Sequence, residues 1–452
     1  MRRPPLPELR PFHLLVAALC VLAAGFYVAP QVCFLADFRG YWLRWAQSTG
    51  GTEPWQVYLR RFPSEVGPAP ANYPPFVPYL LTLAEAVRRA NGTDLMGGQM
   101  LVYVKLPFLL AQVVGGAVCL WGLAPVVGRR RASWAALAYL LCPALFVNAA
   151  VWGQADTLLA LAVTAVLAAL VRDRPVLAGA LFGWGVSVKL QIVVFAPVVL
   201  LWALRRYGGG TVAAGGAAGV AAAALVALPH LLHGAGPALL RAYTGAASYY
   251  TDRSMNMHNG WFVLDMFDCY VRDLSGGLSQ PDTGRVVGPL PITWYHLGLA
   301  LYASYLCGLC AWVWRRRRPT ARLLLLACLL SAYAFAMLPT RMHERYLLPA
   351  AAVLALALPL SGVARRLFPV FCVTLTLDQM IILVAENAFA RGAGTRSLLA
   401  LHVLGGVALS ILYVLLFVWT TRAVVREVAQ EDDLIPAPGE GTPAGPVAAP
   451  DS

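Results

Sequence analysis

A chain of 452 residues that is 59% hydrophobic and only 13% charged lies far below the roughly 25% charge of soluble domains. That balance excludes a water-soluble globular fold and points to a polytopic membrane protein. The formal net charge of +13 would suit a nucleic-acid binder in a soluble chain; here short basic interior loops explain it, and no nucleic-acid partner is expected.

Residues 12–29 follow Arg2, Arg3 and Arg10 and have the make-up of a signal peptide. They lack a small-residue cleavage site and read as an uncleaved first span. Further apolar runs lie near 101–125, 132–151, 155–171, 175–188, 190–204, 211–232, 291–314, 320–338, 346–363, 367–386 and 398–420. The expectation is an all-α, polytopic transmembrane helical protein of about 12 spans, with re-entrant segments as an alternative around 175–204. With the N-terminus inside, the cytoplasmic connections collect Arg129–Arg131, Arg172, Arg174, Arg205, Arg206, Arg315–Arg318, Arg322, Arg365 and Arg366. That asymmetry fixes the orientation.

Two large loops, 31–100 and 233–290, then fall outside. The first carries Tyr41-Trp42-Leu43-Arg44-Trp45, an aromatic-basic stretch suited to the interface plane, and the sequon Asn91-Gly92-Thr93. Residues 1–420 form one transmembrane domain, and 421–452, acidic and then rich in Pro, Gly and Ala, read as a disordered cytoplasmic tail. The nine cysteines show neither zinc spacing nor a disulfide framework, and Cys307 and Cys310 sit inside a span.

Charge in a bilayer helix costs roughly 2.5–3.5 kcal/mol on insertion scales, so polar residues beside spans need a reason. Arg341-Met342-His343-Glu344-Arg345-Tyr346 is the densest such group, flanked by Leu, Ala and Val. Asp37, Asn72-Tyr73 before Pro74-Pro75, Gln154 and Asp156, and His258-Asn259 share its exterior side. The two lysines, Lys105 and Lys189, stand near the exterior ends of their spans. Either they snorkel outward, or both point into one outward-facing cavity. Asp37 reads as a solvated loop acid or a site acid, and Asp156 as a helix cap or a pocket residue. Arg341 and Arg345 either pair with Glu344 and headgroups or face a ligand. Asp378-Gln379, in mid-span, suits an interhelical hydrogen bond.

Taken in order, Ala36-Asp37-Phe38-Arg39-Gly40-Tyr41, Asn72-Tyr73-Pro74-Pro75-Phe76, Trp152-Gly153-Gln154-Ala155-Asp156, Lys189 with Gln191, Met257-His258-Asn259-Gly260-Trp261 and Met342-His343-Glu344-Arg345-Tyr346 resemble the GT-C superfamily of integral-membrane glycosyltransferases. The likeness is to bacterial mannosyltransferase-like members and to dolichyl-phosphate-sugar-dependent transferases, and it covers roughly residues 12–420. Two departures stand out: Gly260 where relatives often carry Leu, and Asn72 where the glucosyltransferases carry an acid.

The resemblance implies a hexose, mannose first among them, moved from a polyprenyl-phosphate donor to a lipid or glycan acceptor at the exterior face of a bacterial plasma membrane. It implies Asp37 as general base; Lys189, Arg341, His343 and Arg345 at the donor phosphate; and Asn72, Tyr73, Gln154, Asp156, His258, Asn259 and Glu344 around the sugar or acceptor. The residue types suit that chemistry independently: one base for the incoming hydroxyl, and fixed positive charge for the departing phosphate. With no Asp-x-Asp motif and no metal-ligand cluster in the sequence, transfer without metal or cofactor is expected. A twelve-span secondary transporter is the competing reading; transporters favour repeats and midplane sites.

Overall fold

The computed structural model describes residues 9–60, 71–245, 250–270, 279–286 and 290–433. The helices of the bundle are α1 (Pro11–Val28), α3 (Gly98–Val127), α4 (Arg129–Leu140), α5 (Asp156–Val171), α6 (Pro175–Val188), α7 (Ala196–Tyr207), α8 (Gly209–Leu232), α10 (Trp294–Trp314), α11 (Ala321–Met337), α12 (Leu348–Ala357), α13 (Gly362–Ala390) and α14 (Arg396–Asp433). Helices α2 (Phe76–Ala90) and α9 (Gly260–Tyr270) lie in the two large loops.

By length and composition, seven helices among the described residues can cross a membrane, or eight if α4 and the segment Pro143–Trp152, bent by 41°, form one span. Helices α5, α6 and α11 are apolar but shorter. This is fewer than the expected twelve, and the reason is positional. Nearly every residue of α5, α11 and α12 is buried against other helices, so these segments need not match a lipid thickness by themselves. Helices α1 and α8, by contrast, are largely exposed along their apolar length, as lipid-facing helices are.

The exterior loops are folded. Trp42 and Trp45, expected in the interface plane, are each only 2% exposed. Trp42 packs on Tyr73 and Phe108, and Trp45 on Tyr73. Burying two indoles in the loop's own core removes more apolar surface than laying them on a membrane. In the second loop, β1 (Ser254–Met255) pairs in parallel with β2 (Met342–His343), Ser254 opposite Met342 and Met255 opposite His343. The loop is thereby fastened to the connection between α11 and α12.

The C-terminal boundary also differs from expectation: α14 continues through residue 433 instead of dissolving at 421. Its end is fixed where the Glu427 carboxylate accepts from Gly362 N at 3.1 Å and Val363 N at 2.8 Å, capping α13. Glu431 and Asp432 lie 3.4 Å from Arg322 and Arg316. Residues 434–452 of the expected tail lie outside the described residues.

Candidate active site

Asp37 ends a single helical turn, Leu35–Asp37, which widens into a π-helical turn over Phe38–Trp42. Its Oδ2 accepts a hydrogen bond from Trp152 Nε1 at 3.3 Å and another from the Gln154 side-chain amide. Those partners are delivered by a second π-helical turn, Val147–Trp152, closed by Gly153 at φ 85°. Such turns re-aim side chains and recur at functional sites. Gln154 accepts in turn from the Tyr73 hydroxyl at 3.0 Å, and the Tyr73 carbonyl accepts from Tyr58 at 2.6 Å. Burial pushes the Tyr73 phenol well above its usual range, so it remains a neutral donor to Gln154.

The basic side faces this acid across Trp152. Arg345 holds its guanidinium carbon 5.8 Å from the Trp152 ring centroid, within reach of a cation–π contact, while the indole N–H serves Asp37. Lys189 Nζ lies 2.6 Å from Asp156 Oδ1, and Arg345 Nε 3.6 Å from Asp156 Oδ2. Arg345 also donates to Glu344 at 3.1 Å. His343 is ringed by Tyr250 and Tyr346. Burial first, and then Arg345 and Lys189, hold its imidazole well below the usual histidine range, so it is neutral. Its Nε2 has no hydrogen-bond partner among the described residues.

Asp37, Asn72, Tyr73, Gln154, Lys189, Arg341, His343 and Arg345 all line one cavity of about 420 Å³. Its remaining wall is apolar and aromatic, with Leu190, Val193, Leu299, Tyr302 and Phe335 reaching down between helices. Eight of the twelve residues expected at the site therefore meet.

The other four do not line it. Asp156 and Glu344 are fully buried behind the wall, where they neutralise Lys189 and Arg345; burial pushes the Glu344 carboxyl up to about 7. Two acids placed there make two buried cations tolerable, a task that sequence position does not separate from ligand contact. His258 sits instead with Nδ1 2.5 Å from Asp378 Oδ1, tying the second loop to α13. Asn259 caps α9, accepting from Trp261 N at 3.0 Å and Phe262 N at 3.4 Å. The interhelical contact expected of this pair is made by Gln379, which donates to Ala144 O at 3.2 Å, whereas Asp378 is engaged by the loop residue His258.

Arg341 reaches the rim, but its guanidinium is held bidentately by Asp282 at 2.6 and 2.9 Å and lies over Tyr295. Lys105 neither snorkels nor enters the cavity: its ammonium is fully buried among main-chain carbonyls. Sequence reasoning missed Asn387, whose amide grips the loop before Asp37, and Asp282, because a lone amide in a span and a loop acid carry no pattern. Among the described residues, no group of three or more His, Cys, Asp or Glu side chains is arranged to hold a metal ion.

Comparison with known proteins gives a family match and distant structural likenesses. The model of glycosyltransferase family 87 matches residues 71–339, more than half of the chain. No curated protein matches in sequence. The crystal structure of ArnT from Cupriavidus metallidurans bound to undecaprenyl phosphate is similar at 16% identity and a TM-score of 0.46, over 93% of this chain and 77% of that one. The archaeal oligosaccharyltransferase AglB from Archaeoglobus fulgidus, in complex with an inhibitory peptide and a dolichol-phosphate, gives 15% identity and a TM-score of 0.42, over 93% of this chain and 55% of that one. Asp37 and the 341–346 stretch fall outside the matched residues, so the geometry of those groups is an observation separate from the match. On that match, the chain is a multi-pass membrane glycosyltransferase and belongs to glycosyltransferase family 87.

Proposed function

We propose that the cavity transfers a hexose, mannose first among the candidates, from a polyprenyl-phosphate donor to a lipid or glycan acceptor at the exterior face of a bacterial plasma membrane. The observation that carries this reading is the division of a single cavity into an acid, a basic wall and an apolar wall. Asp37 lines it together with Lys189, His343 and Arg345, and Val193, Leu299, Tyr302 and Phe335 supply apolar surface. A sugar phosphate on an isoprenoid has the matching three parts.

In the proposed step, the acceptor hydroxyl oxygen attacks the anomeric carbon while its proton passes to Asp37. The bond from that carbon to the phosphate oxygen breaks, and the electron pair leaves with the phosphate. The oxocarbenium-like state resembles that of glycoside hydrolysis. The hydrogen bonds from Trp152 and Gln154 orient Asp37 and leave its second oxygen for the acceptor. Fixed cations in a water-poor wall stabilise the charge that develops on the phosphate. His343, being neutral, offers a hydrogen bond and no charge.

In this reading the shorter apolar helices α5, α6, α11 and α12 join the seven long helices, or eight with the bent pair, as further passages toward the expected twelve, with both termini inside. The transporter reading gains no support: α5, α11 and α12 bury mostly apolar side chains, with Asp156, Thr157, Thr164 and Ser331 as scattered polar exceptions.

The test is purified protein in lipid nanodiscs, given a panel of polyprenyl-phosphate sugars. Donor turnover is expected with one hexose, and Asp37→Asn is expected to abolish it while the protein stays folded. Wild-type turnover by Asp37→Asn overturns the base assignment, and no turnover with any lipid-linked sugar overturns the donor class.

A further inference from the structure

Lys105 ends in a cage of carbonyls. Its Nζ lies 3.1 Å from Ala29 O, 2.9 Å from Ala150 O and 3.1 Å from Val151 O, and it also contacts Val32 O. Ala29 and Val32 belong to the end of α1 and the link that leads to Asp37. Ala150 and Val151 belong to the π-helical turn that ends in Trp152 and leads to Gln154. The last carbonyls of a helical segment lack internal partners and carry partial negative charge. One buried ammonium therefore serves two such ends at once. The path of its stem depends on Gly153, where an added β-carbon would lie 2.9 Å from Lys105 Cε.

A second anchor meets the same link from another helix. The Asn387 amide of α13 donates to Cys33 O at 2.8 Å and accepts from Leu35 N at 2.9 Å. The backbone leading into Asp37 is thus held from α3 on one side and α13 on the other. Neither Lys105 nor Asn387 lines the cavity.

We propose that Lys105 and Asn387 are positioning residues that set Asp37 against Trp152 and Gln154. Lys105 ties the two backbone segments to each other, and Asn387 fixes the tilt of the acid-bearing turn. The proposal rests on the reading of Asp37 as general base. A buried lysine without a carboxylate partner among the described residues is costly in a membrane helix, and a methionine of similar length would fill the same space. What methionine does not do is join the two carbonyl ends, and that junction is what places the acid beside its hydrogen-bond donors.

The experiment compares Lys105→Met, Asn387→Ala and Asp37→Asn as full-length protein in nanodiscs, with kcat and donor KM expressed per folded molecule. Folding is followed by thermal melting and gel filtration. For Lys105→Met and Asn387→Ala, kcat is expected to fall about 10- to 100-fold, the usual cost of a catalytic group displaced by an ångström. Donor KM should stay within about threefold, since the donor wall is untouched.

Wild-type kcat per folded molecule in both variants overturns the proposal, as do parallel losses of kcat and donor binding. If Lys105→Met does not fold, Asn387→Ala decides: unchanged kcat there overturns the proposal. Activity retained by Asp37→Asn defeats the base reading by itself. An inactive Asp37→Asn beside unaffected Lys105→Met and Asn387→Ala defeats only the positioning.

Discussion

Trp152 stands between the acid and the arginine of the cavity, giving its N–H to Asp37 and its ring face to Arg345. Arg345 is itself poised between Asp156 and Glu344, both buried. Removing the guanidinium strands Glu344, while Asp156 keeps Lys189, so Arg345→Ala is expected to destabilise the protein by about 3–5 kcal/mol, read as a lower melting temperature. It should also raise donor KM more than acceptor KM, measured in separate titrations; a defect confined to the acceptor would contradict the phosphate role. His343 makes a milder test. Because its imidazole is neutral, His343→Gln keeps a neutral donor and is expected to retain more donor turnover than His343→Phe. The polar residues of this wall were legible in the sequence as costs beside apolar runs. Which of them touch ligand was not: Asp156, Glu344, His258 and Asn259 satisfy other buried groups, and the chain has no local mark for that distinction.

Among the elements, the closest helix pair is α6 against α8. A β-carbon on Gly179 would lie 2.0 Å from Gly215 O, and one on Gly183 would lie 1.9 Å from Gly219 O. The backbones touch because no side chain intervenes, the small-residue packing that drives helix association in lipid. Gly183→Leu is therefore expected to lower the melting temperature and folded yield, at a cost of about 1–3 kcal/mol or more from overpacking. Gly216→Leu, facing open space, is expected to leave both near wild type. Equal effects of the two would refute this packing. At this scale hydropathy placed the apolar runs well, from α1 to α14. It misjudged the end of α14, whose acidic close reads as a solvated tail yet pairs with Arg316 and Arg322 across the bundle.

For the whole molecule, the proposed orientation rests on the arginines crowded into one set of short connections. In that orientation Asn91→Cys, at the exposed end of α2, is expected to react with a membrane-impermeant maleimide in intact cells. Arg130→Cys, at the interior start of α4, is expected to react only after permeabilisation. Labelling of both from the same side would refute the crossing of α3 between them, and labelling with the sides exchanged would reverse the topology.

By itself the sequence determined that this chain lives in a membrane and that costly polar groups gather beside its apolar runs. Each of these follows from transfer free energies that act residue by residue. Only the tertiary structure decided which polar groups form the cavity and which neutralise the others behind it. It also decided that Lys105 joins two helix ends and that Trp42 and Trp45 turn inward. Those outcomes depend on partners tens to more than a hundred positions away, and desolvation is settled only once every neighbour is in place.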